Sequence, residues 1–217
     1  MPRISRLLAR SVITGAALYI LIVVVLHFLR PDYHPARRFL SEYAVGRFGG
    51  LGTAAFCVLA GTTAALAALL FLKARHSSFL LAVCILLGLV SVGFCVLALF
   101  PTDLCDPKGG PPPIRTVTGN IHDTTTGIMS AALCVAAALL PFAYGRDTRW
   151  RPAFSTAAVF AVLIPLAFCI ANLVSWQWRG AGQRVAVATG LTWIFANARL
   201  LLRARQSRGR EVVAGTR

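Results

Sequence analysis

The chain has 217 residues, 57% of them hydrophobic and 13% charged, with a mean hydropathy of +0.72. Soluble domains carry about 25% charged residues, so this composition excludes an ordinary water-soluble core and makes lipid the solvent for most of the chain. The net charge of +15 does not point to nucleic acid, because the basic residues are scattered between long apolar runs and no soluble domain is left to present them as a patch.

The first apolar run, Ser11 to Leu29, follows Arg3, Arg6 and Arg10 and ends in His27-Phe28-Leu29-Arg30-Pro31. It is long enough to span a bilayer and has no small-residue cleavage site, so an uncleaved signal anchor is expected. Five further runs follow: Leu51 to Leu72, Phe79 to Phe100, Thr124 to Tyr144, Ala153 to Trp176 and Val185 to Leu202. Each has roughly the 17–25 residues that a helix needs to cross a membrane, and lipid offers the backbone polar groups no other partner. A kink is expected at Pro165. The expected fold is therefore all-α, a polytopic bundle of six transmembrane helices over residues 1–203, followed by a mobile basic tail over 204–217.

Orientation follows from Lys and Arg. With the N-terminus inside, the inner segments hold 14 basic residues and the outer segments 8, which predicts that both termini are cytoplasmic. The tail from Arg199 either holds the sixth helix electrostatically to an anionic inner leaflet or serves only as a topology signal. Trp150, Trp176 and Trp178 fit interfacial aromatic belts. The expected location is a cell membrane, spanned several times.

Five of the six cysteines lie inside apolar runs and only Cys105 lies in a loop, so they read as packing residues. The acids and histidines are less evenly spread. Five of seven acidic residues (Asp32, Glu42, Asp103, Asp106, Asp123) and three of four histidines (His27, His34, His122) fall on the outer side. Ionisable groups at membrane depth tend to mark function, so a site is expected there. Two segments stand out: Ser41-Glu42-Tyr43 before the second helix, and a loop that runs from Phe100-Pro101-Thr102-Asp103 to Gly119-Asn120-Ile121-His122-Asp123. If helices two, three and four are neighbours, the candidate site comprises Ser41, Glu42, Tyr43, Asp103, His122 and Asp123. A carboxylate, an imidazole and a hydroxyl at that depth can bind a metal, hold a lipid headgroup or share a proton with a substrate.

Each residue also has a structural reading. Asn120 and Asp123 suit a helix N-terminus, Asp103 and Ser41 suit turn or helix caps, and His122 suits an interface. Glu42 can pair with Arg37, Arg38 or Arg47 in an exposed contact worth roughly 0–1 kcal/mol. No nucleophile elbow, zinc-protease, phosphate-loop or haem-attachment motif occurs, and neither haem, flavin nor nucleotide is expected.

Ser41-Glu42-Tyr43 with Gly46, Phe100-Pro101-x-Asp103 and Gly119-x-x-His122 resemble the pattern of a six-helix prokaryotic membrane family known as domain of unknown function 998. The resemblance runs from His27 to Leu202 and implies a six-span bundle without implying an activity. A serine–acid motif in the first outer loop and a histidine opening the fourth helix also resemble the damage-regulated autophagy modulator and glycosylphosphatidylinositol-remodelling families. That similarity implies a lipid-related role.

Three functions compete. The expected one is binding or handling of a lipid or small amphiphile at the outer face. The alternatives are a metal-assisted hydrolase using Glu42, Asp103 and His122, and a small-molecule transporter. Against the transporter, the apolar runs hold few ionisable residues, and Asn172 and Asn197 are their only strong polar side chains. Expected partners are membrane lipids and the amphiphile itself, with no nucleic acid; self-association is compatible with such a bundle.

Overall fold

A computed structural model describes residues 3–72, 77–146, 148 and 150–203. The expected tail, 204–217, lies outside these residues. Six long helices follow one another: α1 (Arg3–Leu29), α2 (Gly49–Phe71), α3 (Ser78–Leu99), α4 (Val117–Gly145), α5 (Phe154–Leu173) and α6 (Arg179–Arg203). Short 3-10 turns occupy Leu40–Ala44, Arg151–Ala153 and Trp176–Trp178, and no strand occurs among the described residues. All six helices are long and apolar enough to cross a membrane. Even α5, with 20 residues, reaches ~30 Å, the thickness of the hydrocarbon core. The protein is a multi-pass all-α membrane bundle.

The helices pack in chain order, and α6 returns to α1 to close the ring. The connections at one end are long and carry most of the acids and histidines; this is called the polar end below. The outward surface carries large bare apolar side chains such as Phe28, Leu99, Val162 and Leu173, as a surface solvated by lipid should.

The two halves of the bundle are filled differently. Away from the polar end, the main core interlocks Leu66, Leu69, Leu87, Leu140, Tyr144 and Trp193. There the Tyr144 hydroxyl donates to Asn197 Oδ1 at 2.8 Å and Asn197 Nδ2 donates to the Trp193 carbonyl, so the polar atoms of buried Asn197 are satisfied inside the core. Toward the polar end lies a cavity lined mostly by α2, α3, α4 and α6 and reached by Tyr19 of α1 and Phe168 of α5.

One expectation about a helix end is corrected. α4 begins at Val117, ahead of its apolar run, and its cap is Thr116, whose hydroxyl accepts from the Gly119 N–H at 3.0 Å, rather than Asn120. α5 continues through Pro165, and α4 contains a second internal proline, Pro141.

Candidate functional site

The first connection at the polar end is an arginine-tied loop. α1 stops at Leu29, just before Arg30-Pro31. The Arg30 guanidinium lies 3.6 Å from the centre of the Tyr33 ring, pairs with Asp32 at 2.8 Å, and donates to the carbonyls of Val45 and Arg47. The Arg30 bond holds the Asp32 carboxyl below its ordinary range.

The 3-10 turn Leu40–Ala44 then carries three candidate residues, Ser41, Glu42 and Tyr43, all buried. The exposed weak pair expected of Glu42 is corrected. Glu42 is 0% exposed, and its partner Arg38 is 8% exposed. Glu42 Oε2 accepts from Arg38 Nη1 at 2.5 Å and from the Cys105 N–H at 3.4 Å, while Oε1 accepts from the Phe39 N–H at 2.9 Å. Arg38 also donates to the Cys105 carbonyl at 2.5 Å. One ion pair therefore pins the first loop to the second. It buries Cys105, whose thiol is pushed up to about 12 by burial and by the Glu42 charge. Glu42 Oε1 caps the start of its own turn through the Phe39 N–H, and Ser41 lies inside the turn and is not its cap.

α6 supplies the other wall of the loop. Gln183 Oε1 accepts from the Leu40 N–H at 2.6 Å, the Ala181 N–H donates to the Ala36 carbonyl at 3.1 Å, and Arg184 Nη1 donates to the Arg38 carbonyl at 2.8 Å. Gly180 is required here, since a Cβ would run into the carbonyls of Pro35, Ala36 and Arg38. Arg184 also reaches His27 Nε2 on α1 at 3.0 Å, while His27 Nδ1 sits 2.6 Å from the Val23 carbonyl. A carbonyl can only accept, so the His27 proton lies on Nδ1 and Nε2 receives the guanidinium.

The second loop positions His122. Asp103 accepts from the Thr116 N–H at 2.9 Å and the Thr116 hydroxyl at 2.7 Å, orienting the residue that caps α4. Gly119 leaves room for that carboxylate, which a Cβ would meet. Burial alone would raise the Asp103 carboxyl, but the two Thr116 bonds outweigh it and hold the group below its ordinary range. One turn further on, His122 is 3% exposed and its Nδ1 lies 2.8 Å from the Phe100 carbonyl. By the same argument Nδ1 carries the proton, and Nε2 is left to accept. Its ring meets the edge of Phe56, 5.9 Å away. Asp123 is exposed and pairs with Arg115.

The candidates thus separate into two groups. Ser41 and His122 share the cavity; Glu42 is spent on Arg38, Phe39 and Cys105, Asp103 on Thr116, and Asp123 on Arg115. Glu42, Asp103 and His122 make no hydrogen bond to one another, and no three His, Cys, Asp or Glu side chains are grouped to hold a metal among the described residues.

The cavity measures about 140 Å³. Its floor and walls are mostly apolar, including Phe56, Phe94, Leu133, Leu191 and Ile194, and Tyr19, Ser41, Thr63, His122, Thr126, Ser130 and Gln183 add polar atoms. The wall on α4 runs from His122 to Leu133 and that on α6 from Gln183 to Ile194. Eleven residues of helix make ~16 Å, about half the depth of a hydrocarbon core. Sequence reasoning missed Tyr19, Gln183 and Arg184. It also missed Thr126 and Ser130, although their spacing of four from His122 placed all three on one face of α4.

The sequence profile of a family described as "Protein of unknown function (DUF998)" matches residues 13–200. No curated protein and no solved structure matches the chain.

Proposed function

The chain belongs to the DUF998 family, whose description carries no activity, and we propose from the cavity that it binds a lipid or single-chain amphiphile with the chain inside the bundle and the polar head at the polar end. One observation carries this reading: the cavity is mostly apolar along its ~16 Å of depth, the deeper hydroxyls of Thr63 and Ser130 are turned back onto carbonyls of their own helices, and Ser41, His122 and Gln183 lie toward the end with the loops. An apolar chain gains roughly 0.8 kcal/mol per methylene buried from water, and Ser41, the accepting Nε2 of His122 and Gln183 offer a head both donors and acceptors. The basic-residue count supports placing the polar end on the outer side of a plasma membrane. The hydrolase reading has less support, because the carboxylates it needs are already spent on partners of their own.

Photolabelling tests the proposal. A long-chain alkanol carrying a diazirine near its terminal methyl is added to the purified protein in a neutral detergent, and labelled peptides are mapped. Labels are expected on cavity-facing positions of α2, α4 and α6. Gly190→Leu should remove most of them, since a Cβ there makes only ordinary contact, 3.6 Å from Leu133 Cδ2, and the rest of the side chain projects into the cavity. Labels confined to the outward apolar surface, or unchanged by Gly190→Leu, would overturn the reading.

A further inference from the structure

Beside the main cavity lies a second of about 20 Å³, enough for one water-sized group. The two share walls at Tyr19, Leu40 and Phe56, so they adjoin across these side chains. The small one is also bounded by His27 and Tyr43. Tyr43 is 1% exposed, and its hydroxyl is buried without a hydrogen-bond partner. A buried hydroxyl left unpaired costs roughly 1–3 kcal/mol, so such groups ordinarily have partners.

The acceptors nearby are taken. His27 Nε2 receives Arg184, and the carbonyls of Ala36 and Arg38 receive α6. What remains is donors and positive charge. Glu42 is paired with Arg38 and Asp32 with Arg30, whereas Arg184 has no carboxylate within ion-pair distance among the described residues. Its guanidinium carbon stands 5.9 Å from the centre of the Tyr43 ring. Burial raises the pKa of the Tyr43 hydroxyl, and the charge and hydrogen bonding of the neighbouring Arg184 pull it part of the way back, so the hydroxyl sits in that positive field with no acceptor for its own proton.

We infer that the Tyr43 hydroxyl, in the field of Arg184 and beside Tyr19, receives an anionic oxygen, the carboxylate or phosphate head of the amphiphile whose chain fills the larger cavity. This rests on the amphiphile reading above and names its ligand class. The hydroxyl would donate to the oxygen, and Arg184 would supply the countercharge that a carboxylate supplies to Arg30 and Arg38. A cationic head would meet a like charge here, and a neutral head would gain nothing from that charge.

The test uses the full chain in neutral detergent at pH 8, with the photoreactive alkanol as reporter. Four competitors of equal chain length are compared: dodecanoate, dodecyl phosphate, dodecanol and dodecyltrimethylammonium. At least one anion should displace the reporter at a tenfold lower concentration than dodecanol, and the trimethylammonium compound should be weaker than the alcohol. Whether the carboxylate or the phosphate is stronger identifies the source of the head. Tyr43→Phe, which removes one oxygen and keeps the ring, should cut the affinity of the preferred anion about tenfold and leave dodecanol unchanged. If dodecanol competes as well as both anions, the headgroup assignment falls while the chain site stands. If an anion preference survives Tyr43→Phe undiminished, the assignment to this hydroxyl falls. If no competitor displaces the reporter, the amphiphile reading falls with it.

Discussion

Removing the Glu42 carboxylate should cost more than any other single change at the polar end. Glu42→Gln leaves the Arg38 guanidinium, 8% exposed, with the Cys105 carbonyl and no anion. It also replaces an oxygen that accepts from Arg38 and Cys105 with either a weaker acceptor or a donor. Breaking a buried pair by removing one partner costs about 3–5 kcal/mol, against about 1 kcal/mol for an exposed one. In a chain of this size 1 kcal/mol corresponds to roughly 2–4 °C, so the midpoint of thermal unfolding should drop by ~10 °C. Tryptophan fluorescence of the purified protein during a temperature ramp measures this. The double variant Arg38→Met/Glu42→Leu should recover most of the loss, since two apolar side chains of similar volume remove both charges together. A midpoint within 2–3 °C of the parent for Glu42→Gln, which by the same conversion is about 1 kcal/mol, would refute the buried-pair account. So would a double variant as unstable as the sum of the two single ones.

Two further expectations follow. The folded pKa of Asp103 lies below its ordinary value, so its bonds to Thr116 contribute stability that is present above the ordinary carboxylate range and is lost as pH falls through the folded pKa. Asp103→Asn should therefore be less stable than the parent at pH 7, with the gap narrowing on acidification below ~4; a gap independent of pH would contradict the assignment. In sealed cells a cysteine at Lys108 should react with an impermeant maleimide and one at Arg146, at the opposite end of the bundle, should not; the reverse pattern would invert the proposed orientation. Native Cys105 should stay silent in that assay, being buried with its thiol pushed up to about 12.

Much of the fold was legible because hydropathy reports directly on the solvent around a helix. All six apolar runs became helices, with ends displaced by a few residues. The seven-residue displacement at the start of α4 has a plain cause. Its first turn is polar because Thr116, Asp103 and Arg115 satisfy it from the loop, and no apolar pattern announces such a turn. Glu42 could be paired with Arg38 from their spacing of four, but its burial depends on Cys105, 63 positions away. Arg184 counted in the sequence only as one charge in an outer segment, and its contacts with His27 and Arg38 exist only because α6 closes on α1. His122 was recognisable as unusual, but the cavity it faces is a property of the whole bundle.

The bonds between the first loop and α6 also bear on how the protein is made. Leu40 and Gln183 are separated by 143 positions, and Ala36 and Arg38 likewise find their partners on α6. A ribosome delivers α1 and its loop to the membrane first and α6 last. Until the final helix has entered, the Leu40 N–H and the carbonyls of Ala36 and Arg38 lack the partners they have in the finished protein, and the ring has an open seam between α1 and α6. The loop that carries the site is among the first segments synthesised and among the last to reach its final form. A chain interrupted before α6 would retain five insertable helices while presenting an unclosed groove and unpaired backbone at the polar end, and membrane quality control could recognise it as unfinished by those features.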